Sequence, residues 1–328
     1  MRKLSLMLLC ASLCTLAFVV PTAPALAQAR VWVNNPAATP PGNDSTCAAN
    51  NQSLPCATFA QALTLAGTGG EVNCLSDGDY GTVTISAPVT IDCGSNTGNI
   101  TQTSSTLNGA INITTGGNVT LRKLALNGFG TGAVGINVTS GTGTSVNLLV
   151  DNCIIDGFNN SAVAAGIGIA FSPGGTASRN SLTVLNTTIT GSINTQSIGI
   201  LVSPFNSDIV SLSLVGDVLG NNYYGVYINC GSGVIAGVVV DSRVVENQNN
   251  GITVSGNSTF ITIDGSTIAD NLGTGIASQS AGANVAVNNS TITGNATGVS
   301  GSATSSFKNN RLFLNGTNGT FGSTQSLQ

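Results

Sequence analysis

The chain contains no histidine. No serine, cysteine or threonine within it can be activated by an imidazole of the same chain, so Ser-His-Asp and Cys-His nucleophiles are excluded. Charge is nearly as scarce: Asp, Glu, Lys and Arg make up 7% of 328 residues. A disordered acidic chain would carry more charge and far less Val, Ile and Leu. With 9 basic residues against 13 acidic ones, nucleic acid is not an expected partner, nor is an anionic membrane face. Solubility rests on Asn, Thr, Ser and Gly instead. After residue 20 every apolar run is broken by polar residues or Gly, so no membrane insertion is expected.

The first residues read as a secretory signal peptide. Met1-Arg-Lys3 precedes an apolar run from Leu4 to Val20, and Ala25-Leu-Ala27 forms a small-residue cleavage signature before Gln28. The expected mature chain, 28–328, carries 7 basic and 13 acidic residues, a net charge of −6. Its expected location is secreted, either periplasmic or extracellular. Export permits disulfides. Cys10 and Cys14 leave with the signal segment, and six cysteines remain. Cys47 and Cys56 close a short loop. Cys74 and Cys93 lie 19 residues apart, close to one repeat, so stacking would bring them within bonding reach. Cys153 and Cys230 read as small buried thiols.

A repeat dominates what is present. Apolar-x-apolar, four residues, an apolar anchor and then Asn- and Gly-rich polar residues recur eight times. Val119-Thr-Leu121 leads to Leu126, Leu148-Leu-Val150 to Ile155, and Leu182-Thr-Val184 to Ile189. Leu212-Ser-Leu214 leads to Leu219, Val238-Val-Val240 to Val245, and Ile261-Thr-Ile263 to Ile268. Val285-Ala-Val287 leads to Ile292, and a worn copy runs from Phe307 to Leu312. Periods of 20 to 34 residues indicate stacked units. A Gly-Ile or Gly-Val pair follows each of the first seven anchors, from Gly135-Ile136 and Gly166-Ile167 to Gly298-Val299. Each repeat thus holds about three short strands and has no room for a helix. The strands must pair with their counterparts in the next repeat, giving parallel sheets along a coil. Asn222, Asn271, Asn295 and Asn315 recur three residues past their anchors, where a ladder of amides would serve backbone groups at the corner.

Ahead of the coil, Arg30–Val33 alternates like a strand. Thr58–Ala66 has one apolar face and ends at Gly67. The expected organisation is a signal peptide (1–27), an N-terminal lead-in with a cap helix (28–70), the coil (71–315) and a Gly/Ser/Thr-rich tail (316–328). The segments ITIDGSTIADNLGTGI (261–276) and VAVNNSTITGNATGV (285–299) resemble repeats of right-handed parallel β-helix proteins of the pectate-lyase-like superfamily. PCATFAQAL (55–63) and GGEVNCL (69–75) look like the cap and first coil of its exported bacterial members. The resemblance implies an all-β, single-stranded right-handed parallel β-helix, a solenoid with a short N-terminal capping helix. It also implies acidic polysaccharides as substrates of the superfamily's enzymes. Hydrolases of this fold use clustered Asp residues with Gly-His-Gly and Arg-x-Lys. Lyases hold calcium on acidic residues and commonly carry Arg-x-Pro-x-x-Arg. None of these motifs is present.

Register within the repeat proposes where charge would gather. One position past the inner strand stand the charged residues Arg122, Asp151, Asp241, Asp264 and Lys308, with Leu185, Val215 and Asn288 in the other copies. Asp241 and Asp264 would then be neighbours able to share a cation, calcium being the ion that suits carboxylates; no other cofactor is implied. Two positions on, Asp217 would meet Arg243, as a surface ion pair or as part of a site. Glu246 follows, and Tyr223, Tyr224 and Tyr227 lie one coil earlier in a chain with 4 Tyr. Asp217, Asp241, Arg243 and Asp264 are therefore the candidate catalytic residues, and the tyrosines with Glu246 the candidate ligand contacts. The expectation is a non-catalytic exported β-helix protein facing a polysaccharide or cell-surface partner. The alternative is a divergent calcium-dependent polysaccharide lyase.

Overall fold

The computed structural model describes residues 28–105, 108–139, 144–160, 166–174, 178–205 and 208–326. The expected signal peptide, residues 1–27, lies outside the described residues, as does part of the loop at 171–175.

Alternating Val/Ile/Leu with Thr/Ser/Asn cannot make a two-sided sheet alone, so each strand turns its apolar side inward and pairs with the coils above and below. Among the described residues three parallel sheets result, of twelve, ten and ten strands. The first runs from Arg30–Val33 to Ser323–Thr324, the second from Gly78–Asp79 to Arg311–Phe313, and the third from Val83–Ile85 to Thr317–Gly319. At about 4.8 Å between strands, the first sheet spans roughly 50 Å. The coil therefore continues past residue 315. Thr317–Gly319 pairs with Thr297–Ser300, and Ser323–Thr324 with Thr304–Ser306. The Gly- and Ser-rich composition of this tail masks two short strands.

Inward residues form continuous apolar columns. Leu126, Ile155, Ile189, Leu219, Val244, Ile268, Ile292 and Leu312 align one above another, and all but the last are fully buried. The fifth repeat, Val238 to Val245, differs by one residue from the sequence expectation. Val239 and Val244 point inward, while Val238 is 37% exposed. The inward position opposite Leu212 and Ile261 is Gly237, which contributes no side chain to the apolar pattern. Gly168, not Gly166, aligns with Gly135 and Gly199.

The corner after the second sheet carries the amide ladder, with one more rung than the spacing implied. Ser192 N–H donates to Asn222 Oδ1, Asn222 to Asn247, Asn247 to Asn271, Asn271 to Asn295 and Asn295 to Asn315, all at 3.0–3.2 Å. Each Nδ2 donates to a carbonyl one coil back, such as Leu219 O from Asn247 (3.2 Å).

At the N-terminal end the helix Phe59–Ala66 lies over the core, burying Phe59, Ala62 and Ala66. Thr58 caps it by accepting from Gln61 N, and Asp44 holds the cap, accepting from Ala57 N (2.7 Å), Thr58 N (3.0 Å) and Thr58 Oγ1 (2.9 Å). Cys47–Cys56 and Cys74–Cys93 are disulfide-bonded, and Cys153 and Cys230 are buried free thiols. The sulfurs beside Asp44 are thus engaged in a disulfide and are not metal ligands. Among the described residues no helix is long and apolar enough to cross a membrane.

Candidate functional site

The one-residue shift in the fifth repeat redistributes the candidate charges. Asp217 aligns with Thr187 and Ser242 rather than Arg243, in a buried polar column at the corner between the first and second sheets. Along it each N–H donates to the side chain of the next rung: Thr187 N to Asp217 Oδ1 (2.9 Å), Asp217 N to Ser242 Oγ (3.2 Å), Ser242 N to Ser266 Oγ (3.2 Å). Asp217 is 1% exposed, and its Oδ2 is buried without a partner. Burial pushes its carboxyl up to about 7, against the opposing effect of the Thr187 and Val215 backbone. An acid sealed inside the corner reaches no substrate, so Asp217 is a structural residue here.

Arg243 stands exposed on the outer face of the second sheet, between Val218 and Thr267; the expected pair with Asp217 does not form. Asp241 occupies the corner itself, exposed, with φ +48°, beside Gly265. Asp264 pairs with Val240 and Asn288 on the first sheet, and its Oδ1 accepts from Asn288 Nδ2 at 2.7 Å. Asp264 is thus in register with Val240 rather than with Asp241, one position off the alignment read from the sequence, and Asp241 N donates to Asp264 O at 3.1 Å. Glu246 is exposed on the next corner at φ +57°, following Val245, whose partner Ala269 precedes Asp270.

The tyrosines do converge. Tyr223 and Tyr224 meet edge to face with centroids 4.9 Å apart, and Tyr224 meets Tyr227 at 5.5 Å. Tyr224 and Tyr227 project from the outer face of the third sheet, following Ile198 and Leu201 in the preceding coil. Asn249 Nδ2 donates to Tyr224 Oη at 3.4 Å. Burial raises the Tyr224 phenol, and the adjacent Tyr223 and Tyr227 add to the rise.

The sequence reading passed over a charged row on the first sheet. Arg122 Nε donates to Asp151 at 3.1 Å, and its Nη1 lies 3.7 Å from Asp92. The three align in successive coils. Arg122 and Asp151 were already in one register position in the repeat, which was the available signal. Arg30 and Glu71, paired at 2.9 Å, lie on the same sheet. A trough of about 650 Å³ runs here, lined in part by Glu71, Thr90, Asp92, Thr120 and Arg122.

No protein-family model and no curated protein matches the sequence. Among solved structures, the chain is similar to the crystal structure of pectate lyase Pel9A, with a TM-score of 0.62 over 84% of this chain and 74% of that one. The fold is a right-handed parallel β-helix of the pectate-lyase type. At 16% identity the likeness is one of fold alone. A rhamnogalacturonan lyase (12% identity, 78% of this chain and 84% of that one) gives a TM-score of 0.31. The A-module of the Azotobacter vinelandii mannuronan C-5 epimerase AlgE4 (10% identity, 73% and 72%) gives 0.29. Neither of these carries the argument further.

Proposed function

We propose that this chain is an exported, non-catalytic β-helix protein that binds polysaccharide on its outer surface. The observation that carries the reading is the clustering of Tyr223, Tyr224 and Tyr227 on a sheet face while the candidate catalytic groups disperse. Ring faces suit the apolar side of a sugar. Asp217 is sealed in a corner, Arg243 and Asp264 lie on different sheets, and Asp241 sits on the turn between them. Two disulfides fit an oxidising compartment, in keeping with the expected signal peptide.

A second reading, a calcium-dependent lyase, is favoured by the Asp92–Arg122–Asp151 row. It sets carboxylates suited to calcium beside a cation suited to an acidic sugar, on the fold shared with a pectate lyase. Ultraviolet-detected release of unsaturated sugars from a panel of acidic polysaccharides, with and without calcium, separates the two. The non-catalytic reading expects no release from the folded protein. Calcium-dependent release abolished by Arg122→Ala or Arg243→Ala would replace it with the lyase.

A further inference from the structure

The outer face of the third sheet changes character along its length. Thr84, Asn112, Asn137, Ala170, Leu201 and Tyr227 form one outward column over six successive coils. At about 4.8 Å per step the column is roughly 24 Å long. Its first half floors a trough of about 570 Å³ whose lining among the described residues, Gln102, Ser104 and Thr139 included, carries no ionisable group. Its second half is apolar: Ala170 is covered, 6% exposed and packed with Ala133 and Val134, and beyond it Leu201 leads to the tyrosine cluster.

The trough's amides are held in place. Asn112 Oδ1 accepts from Gly109 N at 2.9 Å while its Nδ2 donates to Gly109 O at 3.1 Å. Gln102 Nε2 donates to Asn108 O at 3.1 Å, and its Oε1 accepts from Ser104 N at 2.7 Å. Groups fixed by backbone partners lose little freedom when a ligand arrives. The trough on the first sheet is the opposite case, with Glu71, Asp92 and Arg122 in its wall.

We propose that this column is a binding track for an uncharged polysaccharide lying along the coil axis. Its hydroxyls would meet the amides and hydroxyls of Thr84, Asn112 and Asn137. The apolar face of a sugar ring would rest on Leu201 and Tyr227. The proposal rests on the polysaccharide-binding reading above and adds the ligand class and the face. An acidic chain would bring carboxylates onto a trough with no cation in its lining and lose hydration without compensation. Binding governed by neutral hydrogen bonds and stacking is also insensitive to salt, whereas a surface ion pair weakens as salt rises.

The test is affinity electrophoresis of the full mature protein in gels containing soluble xylan, mixed-linkage β-glucan, galactomannan or polygalacturonate, at low and high salt. The expected result is retardation by at least one neutral polymer, unchanged by salt. Tyr227→Ala and Thr84→Lys, both on the sheet surface, should each weaken it about tenfold, and Arg122→Ala should leave it intact. Retardation by polygalacturonate alone, lost with salt or with Arg122→Ala, would overturn the track while leaving glycan binding standing. Neutral binding untouched by both track substitutions would overturn the face assignment. No retardation by any polymer, with circular dichroism showing folded protein, would overturn both the track and the reading beneath it.

Discussion

Asp217 is the residue at which chemistry and architecture most disagree. Its neighbouring rungs are hydroxyls that accept from one coil and donate to their own chain: Thr187 Oγ1 to Leu185 O, Ser242 Oγ to Val240 O and Ser266 Oγ to Asp264 O, each at 2.9 Å. A carboxylate cannot donate, which leaves Oδ2 without a partner; a protonated carboxyl can do both. Because the folded value, about 7, is raised above 3.8, the folded state favours the protonated form. Stability from this group is fully present below about pH 4, falls as the pH climbs towards 7 and levels off above it. The displacement corresponds to a difference on the order of 4 kcal/mol between those limits. Asp217→Ser copies the neighbouring rungs. Denaturant titrations should show the wild type losing stability from pH 4 to 8 while D217S stays nearly level, making the variant the more stable at pH 8. Parallel pH curves for the two proteins would rule the neutral acid out.

The displaced candidate site has a residue-scale cause as well. In no other coil does a glycine precede three consecutive valines, as Gly237 does here, and nothing in composition says which of Val238, Val239 and Val240 faces inward. A one-residue slip exchanges the two faces of a strand. Reading Val238 inward moved Asp241 beside Asp264 and Asp217 beside Arg243, so the predicted charge cluster was a product of one register choice. The tyrosines survived it because Tyr223, Tyr224 and Tyr227 lie in a neighbouring coil whose anchors, Leu214 and Leu219, were placed correctly.

At the scale of the element, corners carry as much specification as strands. The apolar-x-apolar repeat made the three-sheet coil legible, and spacing from the anchors exposed four rungs of the amide ladder. Asn247 was hidden by the same slip that hid Val244. In the structure it is fully buried, accepting from Asn222 N (3.1 Å) and donating to Leu219 O (3.2 Å) and Asn271 Oδ1 (2.8 Å). Asn247→Ala strands a buried donor and a buried acceptor, each costing about 1–3 kcal/mol. Thermal melts should therefore place N247A well below wild type, while exposed Gln248→Ala one residue on should melt with it. A similar loss is expected for Gly251→Ala, whose added Cβ would lie 2.8 Å from Gly275 O and 2.9 Å from Asn271 Nδ2. If N247A melts with the wild type, the ladder is ornamental and the corners are held by the sheets alone.

The whole molecule is a one-dimensional stack whose two ends are built differently, and this sets where it should open. Each coil of a solenoid contacts only its neighbours, so stability is close to a sum of coil and interface terms. The N-terminal end has the helix over its core, both disulfides and all three ion pairs between described residues. The last coil has Phe313 43% and Leu314 79% exposed, with Leu312 only partly buried, and its strands have a partner on one side only. Opening should therefore begin at Arg311–Thr324 and travel towards the helix. Hydrogen exchange read by mass spectrometry should give the fastest exchange in strand peptides of the last coil and the slowest near Val89–Thr101. Replacing Cys74 and Cys93 by Ser removes a 19-residue loop closure, for which chain entropy gives about 3 kcal/mol. That variant should lose protection in the first coils and leave the last coil as it was. Identical opening free energies in every strand would mean that the stack unfolds as one unit and that its ends do not set its stability.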